Sequence, residues 1–124
     1  AMNWLAISAV NLAAAVMFGG FGAHALKARL SSEQLGWWHT ATEYFFYHAL
    51  GLLVIGALIR TIPTLELRLP AGLLQIGIII FCGSLYAMAL GAPRWFGAIT
   101  PIGGTAFIMG WLLLGWSACK VSAT

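Results

Sequence analysis

Four long apolar stretches within 124 residues predict an all-α membrane protein, a four-transmembrane-helix bundle of antiparallel up-and-down topology. Two further observations point the same way. Hydrophobic residues make up 61% of the chain and charged residues 7%, whereas soluble domains carry roughly 25% charged residues. So few charges cannot clothe a soluble globule. The apolar runs also lack the strict alternation over about 10 residues that barrel strands would show, and a closed barrel is the other way to satisfy a backbone in lipid. At this length the chain reads as a single transmembrane domain covering residues 1–124.

A helix needs about 20 apolar residues to cross a hydrocarbon core of about 30 Å. The first candidate span, residues 2–26, meets this with Asn3, Ser8, Asn11 and His24 as its polar positions. A signal peptide is the competing reading. The stretch Ala1-Met2-Asn3-Trp4 lacks a basic leader, although Ala23-His24-Ala25 loosely resembles a cleavage site, and we read the segment as a retained span. The second span covers residues 44–62, but its helix starts earlier. Ser31 reads as an N-cap with Gln34 completing a capping box. A helix from Ser32 to Ile62 would be about 46 Å long, so the part up to about Glu43 must protrude, tilt or lie in the interface.

Arg60-Thr61-Ile62-Pro63-Thr64 ends that helix. The third span, residues 69–92, has Pro70 suited to its first turn and ends at Gly91-Ala92-Pro93-Arg94. The fourth covers residues 96–119, with Thr100 as N-cap and Pro101 at the first position of its regular part. Four spans place the 1–2 and 3–4 loops on one side, and both termini with the 2–3 loop on the other. Interfacial tryptophans agree: Trp37, Trp38 and Trp95 fall on the first side, Trp4 and Trp116 on the second, with Trp111 the exception inside span four.

Lys27, Arg29 and Arg94 on the first side balance Arg60, Arg68 and Lys120 on the second, so the positive-inside rule gives no orientation. Either the Lys27/Arg29 flank of span one decides, placing the 1–2 loop in the cytoplasm, or the chain inserts both ways and forms antiparallel dimers. The net charge of +3 comes from scattered residues, without the concentrated basic face that nucleic acid requires. Membrane lipids are the expected partners. Cys82 in mid-span three and Cys119 at the far end of span four would stand roughly 20 Å apart, beyond the about 7 Å a disulfide tolerates. Both read as packing thiols.

Fifteen glycines serve helix packing in this setting. Gly103, Ala106 and Gly110 share one face of span four, and Ala6, Ala9 and Ala13 one face of span one. These faces suit contacts within the chain or between copies in a homo-oligomer. Gly19-Gly20-Phe21-Gly22 is no nucleotide loop, since no strand precedes it and no Lys-Ser/Thr follows.

The polar residues gather toward the 1–2/3–4 side. His24 ends span one, His39, Glu43, Tyr44, Tyr47 and His48 stand at the entrance of helix two, Ser84 and Tyr86 approach the end of span three, and Thr100 begins the fourth helix. Ionisable residues in a membrane are costly and so suggest function. Helical spacing places His39, Glu43 and Tyr47 in one row and Tyr44 and His48 in another, so one row faces the bundle and the other the interface.

A specific resemblance accompanies these residues. Phe21-Gly22-Ala23-His24-Ala25-Leu26, Thr40-Ala41 with Tyr44 and Tyr47-His48-Ala49-Leu50, Gly83-Ser84-Leu85-Tyr86, and Gly97-Ala98-Ile99-Thr100-Pro101-Ile102-Gly103-Gly104 together resemble the "domain of unknown function 423" family. That family includes the animal transmembrane protein 256. The resemblance covers nearly the whole chain. It implies a small four-helix membrane protein, multi-pass in the bacterial inner membrane, and supplies no catalytic assignment. Its motif residues here are His24, Tyr44, Tyr47, His48, Thr100 and Pro101.

Three functions compete for the cluster. In the first, His24 and His48 make interhelical hydrogen bonds, Glu43 pairs with Lys27, Arg29 or Arg94, and the tyrosines anchor in headgroups. In the second, His24, His39, Glu43, Tyr44, Tyr47, His48 and Thr100 form a ligand or proton site of a small transporter or lipid-headgroup-binding protein; the ligand or ion is undefined. No His-x-x-x-His or Cys-x-x-Cys supports a metal, and no cofactor is expected. In the third, a histidine acts as general base in a membrane enzyme, but Asp is absent and only three Glu exist. Gln75 and Asn11 read as interhelical hydrogen bonds. With only Asn11, Gln75 and Ser84 at depth, one copy lacks a polar path, and transport would need oligomerisation. We expect a structural or accessory membrane module able to oligomerise, with the transporter or headgroup-binding protein as the alternative.

Overall fold

The computed structural model describes residues 3–122. Met2, the expected first residue of span one, lies outside them. Four helices are long and apolar enough to cross a membrane: α1 Trp4–Leu26, α2 Ser32–Thr61, α3 Arg68–Ala89, and α4 Thr100–Ser122, which a 3-10 turn at Arg94–Ala98 precedes. They run up and down in sequence, and no strand occurs among the described residues.

Local chemistry explains the boundaries. The Asn3 side chain accepts the Ala6 N–H at 3.1 Å and caps α1. Ser31 and Gln34 form the expected capping box, so α2 is an unbroken helix of 30 residues. α3 ends at Ala89, three residues before the expected Ala92, for a definable reason. Gly91 takes φ +113°, Ala92 N–H bonds to the Ala87 carbonyl, and Gly91 N–H to that of Met88. This is a Schellman closure, which a side-chain-bearing residue at Gly91 would strain. Thr100 does begin the regular helix. Its hydroxyl, however, meets Ser84 Oγ at 2.5 Å and the Phe96 carbonyl at 3.4 Å, so it ties α4 to α3 instead of serving only as a cap.

α2 and α3 pack on each other at the centre, α1 lies chiefly on α2, and α4 chiefly on α3. Burial follows: 33% and 44% of the apolar windows of α2 and α3 are buried, against 17% for those of α1 and α4. The outer helices therefore present broad apolar faces, including Val10, Phe21, Ile108 and Leu112. Leu52, Ile55 and Leu74 fill the centre and are fully buried. Cys82 is buried in α3 and Cys119 exposed on α4, with no disulfide between them.

Lipid offers helices no hydrophobic drive to associate, so close packing must supply the attraction. A Cβ on Gly56 would stand 3.0–3.1 Å from the Trp4–Leu5 backbone, and one on Gly51 2.7 Å from the Trp111 ring. Gly103 lies directly against the Phe81 backbone and Gly110 against Leu74, so the small-residue face of α4 is spent inside the chain. The corresponding face of α1 is not, because Ala6, Ala9 and Ala13 are exposed.

α1 carries a π turn at Met17–Gly22. There the Phe18 carbonyl accepts the Ala23 N–H five residues on and also the Trp38 indole N–H at 2.8 Å. The widened turn thus supplies an acceptor to a neighbouring helix. Gly103→Ala should force α3 and α4 apart, because the Phe81 backbone cannot rotate away. We expect about 1–3 kcal/mol of destabilisation, seen as a lower melting temperature in detergent. Gly72→Ala, whose added Cβ meets nothing within 4 Å, should leave the melting temperature unchanged or raise it.

Candidate functional site

The unbroken α2 determines where its polar residues go. His39, Glu43 and Tyr47 are exposed along one face, whereas His48 is buried against α4 and Tyr44, though still 38% exposed, packs on Phe81 of α3. The two-row expectation therefore holds. The residues do not, however, gather into one cluster. His48 lies about 24 Å along α2 from Ser32 and about 20 Å from Thr61, level with Phe107 in α4.

His48 is 6% exposed and its ring stacks on Phe107, with centroids 3.5 Å apart and planes at 12°. Tyr44 stacks at 6.0 Å on the same imidazole, and Trp111 approaches it at 5.8 Å. Phe81 completes this aromatic group, 4.5 Å from Tyr44. His48 Nδ1 stands 2.8 Å from the Tyr44 carbonyl, which can only accept. Nδ1 therefore carries a proton and donates it to that carbonyl.

His24 and His39 meet on the opposite flank of α2. With Lys27 and Gly19 they line an open groove of about 360 Å³ between α1 and α2, near the 1–2 loop. Ser84 and Thr100 join α3 to α4 elsewhere. The seven expected residues thus divide among separate places. Glu43 does not pair with Arg94, whose guanidinium instead meets the Glu33 carboxylate at 2.6 Å and stands 5.6 Å over the Trp37 ring. Glu33 lies in the first turn of α2, where the helix dipole favours a negative charge. Among the described residues, no three of His, Cys, Asp and Glu converge into a group able to hold a metal.

Other polar residues proved more connected than the sequence suggested. Tyr86 hydroxyl and Thr42 Oγ1 are 2.8 Å apart, and Tyr86 packs on Trp38 at 4.4 Å and Phe18 at 5.1 Å. Trp38 and Thr42, four residues apart, share a helical face; that spacing was the one available hint. Asn11 and Gln75 bond reciprocally across α1 and α3, at 2.7 and 3.4 Å, as expected. Ser117 donates to the Glu66 carbonyl at 3.0 Å, holding the 2–3 loop to the end of α4. Among the described residues, no buried side-chain nitrogen or oxygen lacks a hydrogen-bond partner.

Four apolar helices whose polar groups bond to one another define an integral, multi-pass membrane protein. By sequence the chain belongs to the family described as "Protein of unknown function (DUF423)", whose model matches residues 18–104. It is similar to a UPF0382 membrane protein of Staphylococcus epidermidis, at 48% identity over 90% of each chain. A UPF0382 membrane protein of Staphylococcus saprophyticus is 47% identical over 95% of this chain and 98% of its own length. The UPF0382 membrane protein YwdK of Bacillus subtilis is 39% identical over 94% and 96%. No solved structure matches the chain.

The Asn11–Gln75 pair allows a direct measurement. Gln75→Leu removes one arm and leaves the Asn11 amide to its bond with the Ile7 carbonyl. Interhelical hydrogen bonds in membranes average about 0.6 kcal/mol and reach about 1.7. Unfolding in mixed micelles should show a loss of about 1 kcal/mol, and the double variant with Asn11→Leu should recover part of it.

Proposed function

We propose that the chain is a structural or accessory membrane module whose polar residues lock helices together rather than process a substrate. The observation behind this reading is the internal pairing of its buried polar atoms. Asn11 is spent on Gln75, Thr42 on Tyr86, Ser84 on Thr100, and His48 Nδ1 on the Tyr44 carbonyl. A pore or reaction centre needs polar groups left to meet a substrate. The apolar outer faces of α1 and α4, with the exposed Ala6, Ala9 and Ala13, favour association with another membrane helix or a second copy.

A second reading rests on one groove. His24, His39 and Lys27 line an open space near the 1–2 loop, where two imidazoles and an ammonium suit a small anion or a lipid headgroup. In this reading the remaining cluster residues, Glu43, Tyr44, Tyr47, His48 and Thr100, act as scaffold.

Paired substitutions separate the two. His48→Ala opens space beside Phe107 and breaks the bond to Tyr44, so it should lower the melting temperature in detergent by an amount equivalent to about 2 kcal/mol. His24→Ala with His39→Ala removes exposed rings and should leave the melting temperature unchanged. Native mass spectra of the extracted proteins report any retained molecule. If His48→Ala keeps its melting temperature but loses a molecule the wild type carries, the structural reading is wrong. If His24→Ala with His39→Ala alone loses it, the groove reading replaces the first.

A further inference from the structure

At the other end of the bundle, the 2–3 loop, the start of α3 and the end of α4 enclose a groove of about 530 Å³, half open to the surroundings. Its walls are of two kinds. Leu69 and Leu113 give it an apolar side, and Trp116, 63% exposed, stands at its edge. Arg68, Lys120 and Glu66 give it a charged end. Arg68 opens α3 and Lys120 lies in the last turn of α4, so both cations stand at the ends of spanning helices. Among the described residues, neither makes an ion pair, and the Glu66 carboxylate makes none with them.

We propose that this groove seats one anionic phospholipid, its phosphodiester between Arg68 and Lys120 and an acyl chain along Leu69 and Leu113. The charge arithmetic selects the headgroup. Two cations against one carboxylate leave a single positive charge, which matches a headgroup of net charge −1. A glycerol headgroup also carries hydroxyls able to donate to Glu66. A choline headgroup offers no donor, and an ethanolamine headgroup, with no net charge, leaves the positive charge unmatched. The start of α3 adds to the attraction, since Leu67 provides no side-chain cap and the first amides of a helix favour anions. The size suits a headgroup with its first carbons, within the range of about 300–1,000 Å³ for ligand sites. The aromatic edge suits an interfacial position.

Delipidated full-length protein in neutral detergent, mixed with equal amounts of phosphatidylglycerol, phosphatidylethanolamine and phosphatidylcholine of one chain length, tests this by native mass spectrometry. Wild type should retain one phosphatidylglycerol in preference to the others. Arg68→Gln with Lys120→Gln should weaken that retention by roughly 20-fold to 30-fold, from the expected contribution of each cation at a membrane surface. Arg68→Lys with Lys120→Arg should keep it, which separates lost charge from lost folding. Arg29→Gln with Arg94→Gln removes two exposed charges at the opposite end and should also keep it. The proposal is overturned if the neutralised groove retains the lipid as wild type does. It is equally overturned if the Arg29/Arg94 variant loses as much, if the charge-conserving variant loses it, or if the other two lipids are held equally well.

Discussion

The close approach of helix backbones at glycine is the constraint on which the rest of the bundle depends. In water, burial alone would press these helices together, but lipid chains are as apolar as leucine and give no such advantage. What remains is contact density, and that requires backbones to come near. Gly103 receives the Phe81 backbone, Gly56 the Trp4–Leu5 backbone and Gly51 the Trp111 ring. Each notch is met by backbone or a large ring from the facing helix, so the helices gain dispersion contacts that lipid tails cannot match.

The aromatic and polar contacts follow from that spacing. With α1 drawn onto α2, Trp38 reaches the Phe18 carbonyl, and Tyr86 closes over both rings to meet Thr42. With α4 drawn onto α3, Phe107 lies flat on His48 and beside Phe81. The two aromatic groups stand on either side of α2 and involve different outer helices. Hydrogen bonds then set the register. Asn11 with Gln75 and Ser84 with Thr100 each fix one pair of helices along their length, since a shift by one residue would leave amides and hydroxyls unpaired in an apolar medium. The exposed Arg94–Glu33 pair adds little energy, yet it joins the start of α2 to the segment before α4.

Much of the site was legible piece by piece and not as an arrangement. The i, i+4 spacing separated the His39–Glu43–Tyr47 row from the Tyr44–His48 row, and the structure keeps that division. The capping box begins the helix at Ser32, well before the apolar run that starts at Tyr44. Position 48 therefore falls near the middle of a 30-residue helix, and packing decides which rings surround it there. Topology puts Lys27, Arg29 and Arg94 on the same side as Glu43, but Arg94, in the 3-10 turn Arg94–Ala98, meets Glu33 at the start of α2 instead.

Sequence alone determined the class, the number of spans and most helix ends. These depend on local quantities: hydropathy over about 20 residues, the Ser31–Gln34 capping box and the Gly91-Ala92-Pro93 stop. Tertiary structure decided which polar groups meet. Thr42 finds Tyr86 and Asn11 finds Gln75 only when helices distant in the chain pack at one register. The groove holding Arg68, Lys120 and Trp116 likewise exists only when the start of α3 lies beside the end of α4. Such pairings depend on interhelical distance and rotation, and a single helix's composition specifies neither.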